Sequence, residues 1–332
     1  MKTKIRFWLE NARWASLVQS LMPSLTAVVM CIKKEEFSVL LSVLAMIGVA
    51  CAHLSCNLLD DYFDYRSHET GYRDTLSRAG FNAYTAKCPY IVNGSATLGN
   101  LFTACVVFAV AAVFCGLVVF IRRGSVILVI TAVTAAIGFF YSAPPVRLSY
   151  HGLGELCIGV IFGLLNMAGT AAAACGQITS EILTAGVVFG ILVINILYTH
   201  SVIDFAADQS VKKITLAALL KNENQRYFAV ALFNFIPYGL ILLSVILRKM
   251  SPWYLLAFLV LPYSVELYRL MRLYRTNPKA PVVWKKWYGG SAGIDWKQAD
   301  QAGLSWFLVR WLLSRNIVAY FAVAFAAASI LV

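Results

Sequence analysis

The stretch Asn57-Leu58-Leu59-Asp60-Asp61-Tyr62-Phe63-Asp64 puts three carboxylates and an amide at the end of a long apolar run. On a helix, Asn57, Asp60, Asp61 and Asp64 stand at i, i+3, i+4 and i+7 and share one face. Like charges crowded this way repel one another unless a cation joins them. Carboxylate and carbonyl oxygens suit Mg²⁺, whose coordination is usually completed by substrate phosphates rather than by an all-protein cage. The face is suited to a metal-bound diphosphate, and the spacing leaves Asp60 and Asp61 equally open as the main ligand.

A second acidic pair, Asp204 and Asp208, ends another apolar run at i and i+4, with His200 one turn earlier and Lys212 one turn later. One carboxylate at a helix end is ordinarily a solvated loop residue. Two acidic faces at the ends of apolar runs are a different matter in a chain with only 16 acidic residues. Ionisable groups at membrane depth are costly and face an interior cavity. Opposed across such a cavity, the two faces can hold one or two Mg²⁺ ions that bridge diphosphate oxygens and neutralise charge on a leaving group.

A third stretch runs from Tyr141 through Pro144, Pro145 and Arg147 to Glu155. The double proline ends a helix and fixes an extended turn, which delivers Tyr141 and Arg147 to the cavity mouth. An aromatic face such as Tyr141 attracts a developing carbocation, and Arg147 suits phosphate. Arg66, Arg73, Arg78, Lys87, Lys212 and Lys213 are further basic residues on the same side. Each taken singly reads as a topology determinant or lipid contact.

The elements that position these groups follow from composition. The chain has 332 residues, 60% hydrophobic and 13% charged, with a mean hydropathy of +0.72. Soluble domains carry about 25% charged residues, so this is an all-α polytopic membrane protein. The net charge of +12 reads as topology and lipid contact rather than nucleic-acid binding. The eight cysteines form no C-x-x-C pair and mostly fall in apolar runs, where Cys acts as a small hydrophobe. Residues 1–15 are basic and aromatic without a cleavable signal pattern. They read as an interfacial helix with Phe7, Trp8 and Trp14 in the headgroups and Lys4, Arg6 and Arg13 toward lipid phosphate.

Nine spans are expected, near 16–32, 37–59, 97–121, 124–141, 152–175, 183–203, 227–247, 252–271 and 309–331, in one domain over 1–332. With the N-terminus inside, Lys33, Lys34, Arg122, Arg123, Arg248 and Lys249 are the outer-loop cations, six of the 28 Lys and Arg. That asymmetry predicts N-in, C-out and a cytoplasmic working surface. The inner loop 272–308, with Trp284, Trp287 and Trp296, reads as an interfacial segment anchored by aromatics. The two acidic motifs, four spans apart, faintly echo a duplicated half. An ion-coupled transporter is the rival reading, but its acids belong at the bilayer midplane rather than at span ends.

The motifs together resemble the UbiA superfamily of membrane prenyltransferases, most closely the branch acting on 1,4-dihydroxy-2-naphthoate in menaquinone synthesis. The resemblance covers nearly the whole chain. It rests on the Arg13 to Pro23 entry, Asn57-x-x-Asp60-Asp61-x-x-Asp64, Tyr141 to Glu155, Asp204-x-x-x-Asp208 and the Arg310 to Asn316 run. It implies nine helices around a central cavity that binds Mg²⁺ and a polyprenyl diphosphate, its lipid tail running toward the bilayer. An aromatic acceptor then attacks the allylic cation. By the same resemblance Asn57, Asp60, Asp61, Asp64, Asp204 and Asp208 are metal ligands, and Asp204 or Asp208 also deprotonates the acceptor. Arg147, Lys212, Arg78 and Lys87 are the diphosphate-binding candidates. The sequence departs from relatives before span three and at His200-Ser201. That leaves 4-hydroxybenzoate, homogentisate, a chlorophyll precursor, haem and a glycerol lipid as alternative acceptors. The location expected is a bacterial inner membrane.

Overall fold

The computed structural model describes residues 4–66, 88–210, 214–278 and 280–332. Among these, nine helices are long and apolar enough to cross a membrane. They are α1 (Trp14–Cys31), α2 (Val39–Arg66), α3 (Leu98–Arg123), α4 (Ser125–Ser142), α5 (Gly154–Cys175), α6 (Ser180–Ile203), α7 (Glu223–Ile246), α8 (Pro252–Thr276) and α9 (Ser305–Leu331). Helices are the expected solution, because a lipid-facing segment must satisfy every backbone N–H and C=O internally. The outer flank of α3 bears Val107, Val110, Val113, Phe114 and Ile121, all exposed, a surface that suits acyl chains and not water.

The expected spans match these helices to within a few residues, with informative exceptions. Helix α2 continues to Arg66, so the first acidic motif is wholly helical rather than at a helix end. The segment expected as loop 272–308 is built up more than the sequence shows. Helix α8 extends to Thr276, short turns form at Lys286–Tyr288 and Trp296–Gln301, and α9 starts at Ser305. Trp284 stacks on Trp296 with ring centroids 5.1 Å apart. Glu266 of α8 accepts from Arg269, from Lys285 at 3.0 Å and from the Tyr288 hydroxyl. The aromatic residues of this segment anchor it to α8 and α9.

Helices α5 and α6 approach almost backbone to backbone. A Cβ on Gly163 would lie 2.3 Å from the Cα of Gly190, and one on Gly190 would lie 2.8 Å from the Gly159 carbonyl. Paired small residues allow this proximity in membranes, where dispersion contacts replace the hydrophobic effect between helices. The turn at Val160–Leu165 is π-helical. The crossing aligns the ends of α5 and α6 that carry Glu155 and Ser201. At the far end of the bundle, Arg123 donates to Glu36 and to the carbonyls of Ala173 and Ala174.

Candidate active site

The first motif is not a single four-ligand face. Asn57, Asp60 and Asp64 line a central cavity of about 940 Å³. Asp61 is fully buried and turned away from it. Its Oδ1 accepts from Arg13 Nη1 at 2.7 Å and its Oδ2 from the Tyr90 hydroxyl at 3.2 Å. The expectation that all four residues share one face is therefore corrected for Asp61. Asp60 and Asp61 flank the Asn57–Asp64 line on opposite sides, about 100° apart, and Arg13 and Tyr90 draw the Asp61 flank into the protein.

Arg13 is corrected in the same way, since it turns inward rather than toward lipid phosphate. The backbone at Arg13 is left-handed, with φ at 61°. Its second nitrogen donates to the Asn57 carbonyl at 2.9 Å and lies 3.9 Å from Asp60 Oδ2. Burial opposes the guanidinium charge, yet Asp61 and Asp60 outweigh it and raise the Arg13 pKa above its ordinary value. Burial, followed by the neighbouring Asp61 charge, also raises the Tyr90 pKa. Phe7 and Trp8 pack edge-on against Tyr90, so the N-terminal helix Lys4–Asn11 closes over this pair.

The cavity-facing side chains are held by hydroxyls. Ser142 donates to Asp60 Oδ1 at 2.5 Å, and Tyr150 donates to Asp64 Oδ1 at 2.7 Å. Asn57 spends its amide hydrogens on the Ala12 carbonyl and on Ser16 Oγ, at 2.9 and 3.0 Å. Ala12 offers only an acceptor, which fixes the amide and leaves Oδ1 as the atom suited to a cation.

The second motif meets the first across the cavity. Helix α6 ends at Ile203 and a short helix follows over Phe205–Ser210. Across this break the Asp208 N–H still donates to the Asp204 carbonyl at 2.9 Å. Asp204, Asp208 and His200 all line the same cavity as Asn57, Asp60 and Asp64. Buried Glu155 secures the arrangement, accepting from Ser201 at 2.5 Å and from the Leu216 N–H at 3.1 Å. The Gly152 N–H donates to the Ile214 carbonyl at 2.8 Å. The Tyr141–Glu155 stretch and the chain after Asp208 are thus tied together. The site roles of Glu155, Arg13, Tyr150 and Ser142 are not legible in the sequence, because their partners lie 46 to 86 residues away.

Tyr141 lines the cavity. Arg147 does not: its guanidinium stacks 3.9 Å over the ring of Tyr150, the residue that donates to Asp64. Lys212, Lys213, Arg73, Arg78 and Lys87 lie outside the described residues, and Arg66 closes α2.

The donor set fits a hard cation shared with a ligand. Asp60, Asp64, Asp204 and Asp208 bring carboxylates to the cavity, and Asn57, its amide nitrogen spent on Ala12 and Ser16, adds an amide oxygen. Among the described residues, no three His, Cys, Asp or Glu side chains gather closely enough to enclose a metal by themselves. Mg²⁺ is commonly held by one or two carboxylates, with substrate phosphates and water completing its shell.

Residues 20–290 match the UbiA prenyltransferase family. The chain is 29% identical over 158 residues to the 2-carboxy-1,4-naphthoquinone phytyltransferase of Synechocystis sp.. That match covers 46% of this chain and 50% of the relative, so it spans half of the relative's length. A UbiA homolog from Aeropyrum pernix superposes with a TM-score of 0.62 at 14% identity, covering 96% of this chain and 98% of that one. A UbiA homolog from Archaeoglobus fulgidus, solved with GPP and Mg²⁺, gives 0.60 at 13% identity, covering 96% and 99%. With the family match extending over most of the chain and the same fold shared over nearly all of it, the chain belongs to the UbiA prenyltransferase family.

Proposed function

We propose that this protein transfers a polyprenyl group from an isoprenyl diphosphate to an aromatic acceptor, with Mg²⁺ as cofactor. The observation that carries this reading is the shape of one cavity. Two acidic faces stand at one end, and an apolar groove past Ala52, Gly48, Ala112, Gly116 and Leu128 leads away from them. An amphiphile with a multiply charged head and a hydrocarbon tail matches both parts. The relative named as a naphthoquinone phytyltransferase supports 1,4-dihydroxy-2-naphthoate as acceptor and menaquinone synthesis as the setting. The excess of Lys and Arg at the motif end supports a cytoplasmic active site in a bacterial inner membrane.

Asn57, Asp60, Asp64, Asp204 and Asp208 would hold Mg²⁺, which supplies charge neutralisation of the diphosphate leaving group. The protein's own residues do the remainder. Arg13 keeps Asp61 neutralised and fixes the turn of α2 that aims Asp60 and Asp64. Helix α4 places the Tyr141 ring beside the site, where its π face stabilises positive charge on the allylic carbon. The bond between that carbon and the diphosphate oxygen breaks, and its electron pair leaves with the diphosphate. A ring carbon of the acceptor donates the pair for the new C–C bond. Asp204 or Asp208 takes the acceptor's phenolic proton, and the ring regains aromaticity by releasing its displaced proton or carbon dioxide.

The test is incubation of purified protein with geranylgeranyl diphosphate and a panel of acceptors, with and without Mg²⁺, read by product mass. A prenylated naphthoate formed only with Mg²⁺ is the expected result. Pyrophosphate release with no prenylated aromatic product from any acceptor overturns the reading.

A further inference from the structure

Below the acidic clusters the cavity has two unlike walls. The groove between α2, α3 and α4 is mostly apolar, with Thr131 and Thr134 among its lining, whereas Arg13 just before α1 and Ser16 and Gln19 on it also face the cavity. Two of these three polar groups are spent within the protein. Arg13 holds Asp61 and the Asn57 carbonyl. Ser16 accepts from Asn57 and lies 3.2 Å from His53 Nε2. Gln19 is different: it is 8% exposed, it lines the cavity, and among the described residues its amide has no hydrogen-bond partner.

Its depth is set by its neighbours. Ser16 and Ser20 bracket the two nitrogens of His53, at 3.2 and 2.8 Å, so Gln19 lies at the level of His53. His53 stands one turn from Asn57 along α2, about 6 Å deeper in the bundle. A primary amide that no protein group meets and that faces the cavity takes its hydrogen bonds from what the cavity holds, and can meet a polar ligand there. An isoprenoid tail has no group that can supply them. Also lining the cavity, at the α6 and α9 wall, His200 packs 5.0 Å from Phe307 and 5.9 Å from Trp311 between ring centroids. Such rings take a flat aromatic partner by edge or face contact.

We infer that the lobe between Gln19 and the His200–Phe307–Trp311 wall seats the acceptor, an oxygenated aromatic ring whose hydroxyl or carbonyl oxygen is hydrogen-bonded by the Gln19 amide. This rests on the prenyl-transfer reading above and adds to it which lobe holds which substrate. A ring held one turn below Asn57 stands next to the acidic end of the cavity, the proximity that bond formation to the donor's allylic carbon needs. Ser16, His53 and Ser20 then act as positioning residues, keeping α1 and α2 in register so that Gln19 meets the ring.

The test is Gln19→Met, which keeps length and shape and deletes both polar atoms. Steady-state kinetics with 1,4-dihydroxy-2-naphthoate and geranylgeranyl diphosphate are expected to show an acceptor KM raised about 10-fold, the usual scale for one lost hydrogen bond. The donor KM and the kcat at saturating acceptor stay unchanged. Equilibrium dialysis of 1,4-dihydroxy-2-naphthoate without Mg²⁺ or donor is expected to show a similar loss of affinity. Unchanged acceptor KM and affinity overturn the assignment while leaving prenyl transfer intact, as does a donor KM that rises equally. Absence of transfer by the wild-type protein to every aromatic acceptor overturns both readings.

Discussion

Arg13 Nη1 lies 2.7 Å from the buried Oδ1 of Asp61, across 48 residues of sequence. This ion pair divides labour within the acidic motif. One aspartate is neutralised inside the protein, and Asp60 and Asp64 are left to the cavity. Removing one member of a buried pair strands the other charge at a cost of about 3–5 kcal/mol.

Arg13→Gln is expected to destabilise the folded protein by about that amount, seen as a lowered Tm in detergent. The raised pKa of Arg13 means its contribution is present below the unfolded value and lost only as pH rises through the folded one. The Tm gap between wild type and Arg13→Gln therefore stays constant from about pH 6 to 10. A gap that closes within that window contradicts the pairing.

Asp60→Asn and Asp61→Asn are expected to differ in kind. Asp60→Asn leaves Tm near wild type and lowers prenyl transfer by about 100-fold or more, with a raised Mg²⁺ requirement. Asp61→Asn lowers Tm by leaving Arg13 without its counter-charge, while the Mg²⁺ concentration for half-maximal rate stays at the wild-type value. Mg²⁺ titrations of both variants decide between this division and one in which Asp61 binds metal.

Gly48→Phe should shorten the tail the groove accepts. Gly48 lies about 18 Å along α2 from Asp60 at the helical rise, and a Cβ there meets Cys115 Cβ at 3.2 Å. An extended five-carbon unit spans about 5 Å at ordinary bond lengths. Transfer from geranyl diphosphate is therefore expected to persist, while transfer from geranylgeranyl diphosphate and longer donors falls about 10-fold or more. An equal effect on both donors places the tail elsewhere.

Glu155→Ala removes the acceptor of Ser201 and of the Leu216 N–H, freeing the chain after Asp208 from α5. Activity is expected to drop about 10-fold or more through a raised donor KM. Glu155→Gln, which retains one acceptor oxygen, is expected to recover part of it. Kinetics of the two variants side by side make the check.

Gly163→Ala should lower Tm outright. Its Cβ would sit 2.3 Å from the Gly190 Cα, and backbone on both sides cannot yield without parting α5 from α6. A loss of about 2 kcal/mol or more is expected, measured by thermal unfolding in detergent.

The nine membrane-length helices among the described residues follow from runs of about 20 apolar residues, because a bilayer's thickness sets the length and its dryness sets the structure. The two acidic motifs were legible for a related reason, since carboxylates beside such runs are too costly to be incidental. Helical periodicity placed Asn57 and Asp64 on one face. It could not separate Asp60 from Asp61, because the answer depends on Arg13, which reaches the motif only after α1 packs against α2. Gln19, His53 and Glu155 were equally silent, since one polar residue in an apolar run looks the same whether a neighbour satisfies it or not. Composition and spacing are local properties of the chain. Which carboxylate meets a cation, and which amide is left unmet, are decided by partners 40 or more residues away that only the packed helices bring within 3 Å.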